Sequence, residues 1–230
     1  AFEDAFAALP GLTREEAAQV ARSADLTMNA VRTAALVTLA DDLYAYDFPS
    51  GRATRLTATL GREEDATSSP DGKSVAFVRG NNLHIVDVAS QRERALTTDG
   101  SEDLLNGKLD SVYQEQIYGR GRFRAYWWSP DSSRLAFLQI NERPVPEYTV
   151  TDHIPYRPVL ETDGYPKAGD PNPTVKLGIV RTAGGAAHWV DLSKYSALEF
   201  LIVDVGWSPR TPHVVYQVQD REQTWLDLNL

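Results

Sequence analysis

The chain repeats itself. Laid over itself at an offset of 40 residues, residues 29–57 match 69–97 without a gap. Leu36-Val37 falls on Ala76-Phe77, Asp41-Asp42-Leu43 on Asn81-Asn82-Leu83, Asp47 on Asp87, and Arg55-Leu56-Thr57 on Ala95-Leu96-Thr97. A unit that recurs at a fixed period packs on its own copies, so the period constrains the fold before any local propensity does. The front half recurs at residues 128–138, where Trp128-Ser-Pro-Asp-Ser-Ser-Arg stands beside Ser68-Ser-Pro-Asp-Gly-Lys-Ser. A weaker copy runs from Trp207-Ser-Pro209 into Val214-Val-Tyr216. Ser-Pro-Asp-Gly is turn chemistry: Pro presets φ, Asp bonds nearby backbone amides and Gly accepts positive φ. Strand-like alternation follows, as at Leu83, Ile85 and Asp87, and at Val175, Leu177 and Ile179 before the Gly184-Gly185 turn. Units of about 40 residues that each yield short antiparallel strands predict an all-β fold of β-propeller blades. An all-β sandwich gives no reason for the period.

Two insertions interrupt the rhythm, at about 98–123 and 141–173, because the turns at Pro70, Pro130 and Pro209 lie 60 and 79 residues apart. Residues 1–28 read as an N-terminal helical segment, with Phe2, Phe6 and Leu9 on one face and capping-box spacing from Thr13 to Glu16. Residues 29–230 then hold four or five blades at most, which predicts an incomplete ring. The chain opens on Ala1, and Trp225-Leu-Asp-Leu-Asn-Leu230 looks like the second strand of a blade rather than a polar cap. Both features predict a piece of a longer protein.

The exclusions are chemical. With 32 acids against 23 bases, a net charge of −9 disfavours a nucleic-acid partner. Arg120, Arg122 and Arg124 alternate with Gly121, Phe123 and Ala125, which reads as a half-buried strand with one solvated basic face rather than a nucleic-acid ribbon. No apolar run approaches the roughly 20 residues of a membrane span, so no membrane-spanning segment is expected. No cysteine is present, and His84, His153, His188 and His213 are scattered singly, so no metal site is expected. Neither a phosphate loop nor a dinucleotide fingerprint occurs, and no cofactor is expected. Gly206-Trp-Ser208-Pro-Arg210 lacks the last Gly of a nucleophile elbow and matches the blade turn instead.

The first insertion is the informative one. Ser111 and Gln114 have capping-box spacing, Tyr113 and Ile117 share a face at i,i+4, and Gly119 is placed to stop a two-turn helix carrying Glu115 and Gln116. Taken alone, Glu115 reads as a solvated helix carboxylate. Yet a helix this short is marginal in water, so something must hold it in place.

Residues 110–141, with Tyr165-Pro-Lys-Ala-Gly169 and Asn172-Pro-Thr-Val175, resemble the propeller domain of the dipeptidyl peptidase IV family of prolyl-oligopeptidase-type serine peptidases. The family pattern D-W-x-Y-x-E-E followed by W-W-S-P appears here as Asp110, Ser111, Val112, Tyr113, Gln114, Glu115 and Gln116, then Trp127-Trp128-Ser129-Pro130. The resemblance implies that Glu115 and Gln116 stand where two acids grip the ammonium of a peptide, on a helix supported by Asp110, Ser111 and Tyr113. Gln116 replaces the second acid, Ser111 replaces Trp, and the family's carbonyl-holding arginine has no clear counterpart. The resemblance also implies a catalytic triad in a C-terminal α/β-hydrolase domain outside these residues, so this chain alone is expected to be inactive. Its implied partners are a peptide substrate with a free N-terminus, that hydrolase domain and a second copy in a homodimer, in the periplasm or a secreted setting. A TolB-like propeller that binds proteins without catalysis is the alternative, since it shares the Ser-Pro-Asp-Gly turns but has no need of the inserted helix.

Overall fold

The computed structural model describes residues 2–22, 26–154 and 156–230. By packing, the chain divides into two compact units. One holds the residues up to Thr98 with Trp128–Leu135 and Val180–Ala186; the other holds Asp99–Trp127, Ala136–Ile179 and Ala187–Leu230.

In the first unit, α1 (Phe2–Ala7) and α2 (Arg14–Arg22) are separated at Pro10-Gly11, where Gly11 takes φ +83°. The capping box forms as expected: Thr13 N–H donates to Glu16 Oε2 at 2.7 Å and Glu16 N–H to Thr13 Oγ1 at 3.2 Å. Four strands follow as one antiparallel sheet in chain order, β1 (Thr27–Met28), β2 (Ala34–Leu39), β3 (Asp42–Asp47) and β4 (Arg52–Arg55). A second such sheet is β5 (Glu64–Ser68), β6 (Ser74–Arg79), β7 (Asn82–Asp87) and β8 (Glu93–Ala95).

The repeat extends to individual hydrogen bonds. Leu43 N–H donates to Thr57 Oγ1 at 2.8 Å, and Leu83 N–H to Thr97 Oγ1 at 2.9 Å. Phe48 N–H reaches Thr33 O and Val88 N–H reaches Lys73 O, both at 2.9 Å. In the turn, Ser69 Oγ donates to Asp71 Oδ1 and accepts from Ser74 N–H, as Ser129 does with Asp131 and Arg134. Asn29 takes the same part with Thr33 and Ala34. Because successive strand residues face opposite ways, Leu36 and Leu43 join Val75, Phe77 and Val86 in one core, while Val37, Tyr44 and Tyr46 meet Phe6, Ala17 and Val20 of the helices in another.

The third sheet takes β9 (Leu104–Asn106), β10 (Tyr126–Trp128) and β11 (Arg134–Asn141), then a separate hairpin of β12 (Glu147–Asp152) and β13 (Val159–Gly164) intervenes before β14 (Thr174–Arg181) and β15 (His188–Trp189) complete it. Its order is β10-β11-β14-β15, with β9 also paired to β11. The last sheet, in the second unit, is β16 (Phe200–Trp207), β17 (Val214–Asp220) and β18 (Leu226–Asn229) in chain order. The core of the second unit includes Leu109, Tyr113, Leu138, Ile140, Leu177, Ile202 and Val218.

One expected strand is absent. Residues 119–125 form a turn with a single bridge between Lys108 and Arg124, because Gly119 (φ +106°) and Gly121 (φ +85°) bend the backbone out of the extended region. Arg120, Arg122 and Arg124 are exposed there, without a shared strand face. Among the described residues no helix is long and apolar enough to cross a membrane.

Candidate functional site

The inserted helix exists, but it is a π-helix from Tyr113 to Tyr118 rather than an α-helix. The expected Ser111–Gln114 capping box does not form. Asp110 caps instead: its Oδ2 accepts from Val112 N–H and its Oδ1 from Tyr113 N–H, both at 3.1 Å. Ser111 Oγ turns to the carbonyl of Gly164 at 3.5 Å, and the buried Gln114 side chain accepts from Gly121 N–H, pinning the turn that follows. Gly119 ends the helix as its position predicts.

Aromatic side chains fix the segment to the second unit's core. Tyr113 is fully buried, and Tyr118 packs on it with ring centroids 6.4 Å apart and on Trp127 at 6.1 Å. The Tyr118 hydroxyl donates to the carbonyl of Ile202 at 3.2 Å, where the register of β16 on β17 slips between Ile202 and Asp204. A bulge leaves a strand residue out of the ladder and re-aims its neighbours, here beside the helix. Burial pushes both phenols far above the usual tyrosine range, so they stay neutral.

Glu115 and Gln116 lie on the exposed side of this segment. The Glu115 side chain is 39% exposed, and its Oε2 stands 3.7 Å from Arg120 Nη2. Chemically, the arrangement is a rigidly mounted carboxylate with a neutral amide beside it and one loosely held cation. Tyr118, Gln114 and Arg120 also shape the candidate site, and the sequence reading gave them no part in it. The i,i+5 spacing of Tyr113 and Tyr118 was the available signal for the first. Among the described residues no group of three or more His, Asp or Glu side chains is placed to hold a metal ion.

The family described as dipeptidyl peptidase IV (DPP IV) N-terminal region matches residues 30–230. A probable dipeptidyl peptidase 4 from Aspergillus clavatus is 35% identical over 193 residues, covering 78% of this chain and 24% of the relative. One from Neosartorya fischeri is 39% identical over 167 residues, 67% of this chain and 21% of the relative. The chain thus spans about a quarter of the length of these relatives. Among solved structures, the Porphyromonas gingivalis dipeptidyl peptidase 4 superposes with a TM-score of 0.76 at 27% identity, over 88% of this chain and 30% of that one. A dipeptidyl aminopeptidase IV structure from Bacteroides ovatus shares the fold at a TM-score of 0.67 and 21% identity, over 85% of this chain and 26% of that one. With four-stranded antiparallel blade sheets, an inserted helix and a family match over most of its length, the chain belongs to the dipeptidyl peptidase IV N-terminal-region family.

Proposed function

We propose that this chain is the substrate-anchoring propeller region of a dipeptidyl peptidase IV-type serine exopeptidase. In this reading Glu115 takes the α-ammonium of a peptide and the Gln116 amide oxygen accepts a second hydrogen bond. The blades are residues 29–230 together with the edge strand β1 at Thr27–Met28, and the helices α1 and α2 are their lead-in. The α/β-hydrolase domain of the same protein supplies the nucleophile, and a second copy is the further partner. A fixed distance from anchor to nucleophile then measures out a dipeptide.

One observation carries this reading: Glu115 projects from a segment clamped by Asp110, Tyr113 and Tyr118, with its carboxylate committed, among the described residues, only to a loose ion pair. An ammonium is a compact cation with three donors, and a charge-assisted bond to a carboxylate is worth about 1.5–3 kcal/mol. A clamped acid gives up little conformational entropy on binding, and each rotamer-rich side chain immobilised would otherwise cost about 0.5–1.5 kcal/mol. Gln116 contributes no charge, so affinity rests on Glu115.

Calorimetry on the natural full-length protein tests this with the dipeptide Ala-Pro and its N-acetyl form. The free amine binds at least tenfold tighter, and Glu115→Gln removes the difference. Equal binding of the two ligands by the unaltered protein refutes the reading and favours an interaction module without peptidase work.

A further inference from the structure

The turn after the π-helical segment sets a cation beside the anchor. Gly119 and Gly121, at φ +106° and +85°, fold the backbone back so that Arg120 returns to the carboxylate five residues earlier. The backbone of this turn is pinned, by Gly121 N–H on the Gln114 side chain and by Arg122 N–H on Gly119 O at 3.0 Å. The guanidinium is not: it is 83% exposed, and its 3.7 Å approach to Glu115 is an ion pair without a hydrogen bond. Arg122 and Arg124 are exposed in the same turn, in a chain whose net charge is −9.

An ammonium that occupies Glu115 takes Arg120's partner away. If the ligand's first residue has a neutral side chain, the guanidinium is left unpaired; if it is basic, the guanidinium meets a like charge. An acidic first residue restores the balance, because its side-chain carboxylate lies only a few bonds from its own ammonium and matches the short Glu115–Arg120 separation. The planar fork of arginine suits that carboxylate geometrically. We propose that Arg120 is a specificity-determining residue that selects peptides whose N-terminal residue is Asp or Glu. The ligand's ammonium and carboxylate exchange partners with Glu115 and Arg120, and both ion pairs survive. This rests on the reading that Glu115 receives the ammonium.

Calorimetry on the natural full-length protein with Glu-Pro, Ala-Pro and Lys-Pro tests it. Surface ion pairs are individually weak, so Glu-Pro should bind about five- to tenfold tighter than Lys-Pro, with Ala-Pro between and the spread shrinking in high salt. Arg120→Ala should bring the three within about twofold of one another, and Arg120→Glu should invert the order. Both variants sit at a well-exposed position, and only the ranking is read, so a general change in affinity does not disturb the result. An unaltered protein with no preference for Glu-Pro over Lys-Pro, or an Arg120→Glu variant that keeps the original ranking, overturns the proposal. N-acetyl-Ala-Pro separates the two claims. Loss of the free-amine preference in Glu115→Gln, alongside an unmoved ranking in Arg120→Glu, removes Arg120's role and leaves the anchor standing. Retention of that preference in Glu115→Gln removes the anchor itself.

Discussion

Replacing Arg79 by alanine tests what holds the enclosed Glu63 carboxylate beside the second blade sheet. Nη1 of Arg79 donates to Glu63 Oε1 at 2.9 Å and Nη2 to Glu93 Oε2 at 2.7 Å, while the guanidinium carbon lies 5.4 Å from the Phe77 ring centre. Glu63's side chain is wholly enclosed, Arg79's is 12% exposed and Glu93's 18%. Glu63 Oε2 is buried with no hydrogen-bond partner among the described residues. Removing the cation strands a carboxylate that water does not reach, a loss of about 3–5 kcal/mol. In a chain of this size that corresponds to a Tm drop of roughly 6–20 °C. The pH dependence fixes the cause. Burial raises Glu63's pKa and Arg79 pulls it back, so Glu63's contribution is present at low pH and lost as pH rises through its folded value. Burial, then Arg79, lowers His84's pKa, so His84 costs stability as pH falls below its ordinary range. Without Arg79 both groups bind protons more readily in the folded state, and both changes favour the variant at low pH. Scanning calorimetry should therefore find the Arg79→Ala penalty clearly smaller near about pH 5 than near about pH 8. A Tm loss that is the same at both, or a penalty under about 1 kcal/mol, would refute the assignment of Glu63 as a buried charge that depends on Arg79.

Two further outcomes follow from local geometry. Asp110→Ala removes the acceptors of two helix-entry amides and should cost about 1–2 kcal/mol, with Ala-Pro affinity falling severalfold as the π-helical segment loosens; Asp110→Asn, which keeps one of the two acceptors, should recover about half of each loss in the same calorimetric assay. Gly178→Ala would set a Cβ 2.7 Å from the Phe137 ring and 3.0 Å from Trp189, so it should lower stability by about 1–3 kcal/mol, and an unchanged Tm would mean that these rings are free to move.

The blades were legible because a period of 40 residues is written in side chains that make the same hydrogen bonds twice: Thr57 and Thr97, Asp47 and Asp87, Asn29 and Ser69. The Asp and Asn or Ser bonds span three to five residues and the Thr bonds fourteen, all inside one repeat unit, so the unit's own sequence specifies them. The basic segment was misread for a similar reason. Alternation alone suggests a strand at Arg120, Arg122 and Arg124, but two glycines at positive φ decide the backbone, and their preference outweighs pattern. Glu63 was not legible at all. Arg62-Glu63-Glu64-Asp65 is a run of charges in sequence, and only the distant Arg79 separates the enclosed acid from its neighbours.

The π-helix explains why the anchor was half legible. On an α-helix residues five apart stand about 140° from each other, so Tyr113 and Tyr118 could not both face the core; the i,i+4 pairing of Tyr113 with Ile117 is the natural reading, and Ile117 does pack against the same core. The wider π turn brings i and i+5 together, and both phenols then meet the core beside β16. The residues between them are displaced as a set, which leaves Glu115 and Gln116 outside while Gln114 turns inward to the backbone of Gly121. The longer i→i+5 turn therefore anchors both ends of the segment in the core through Tyr113 and Tyr118, and the glycine turn that follows brings Arg120 back to Glu115 on the exposed side.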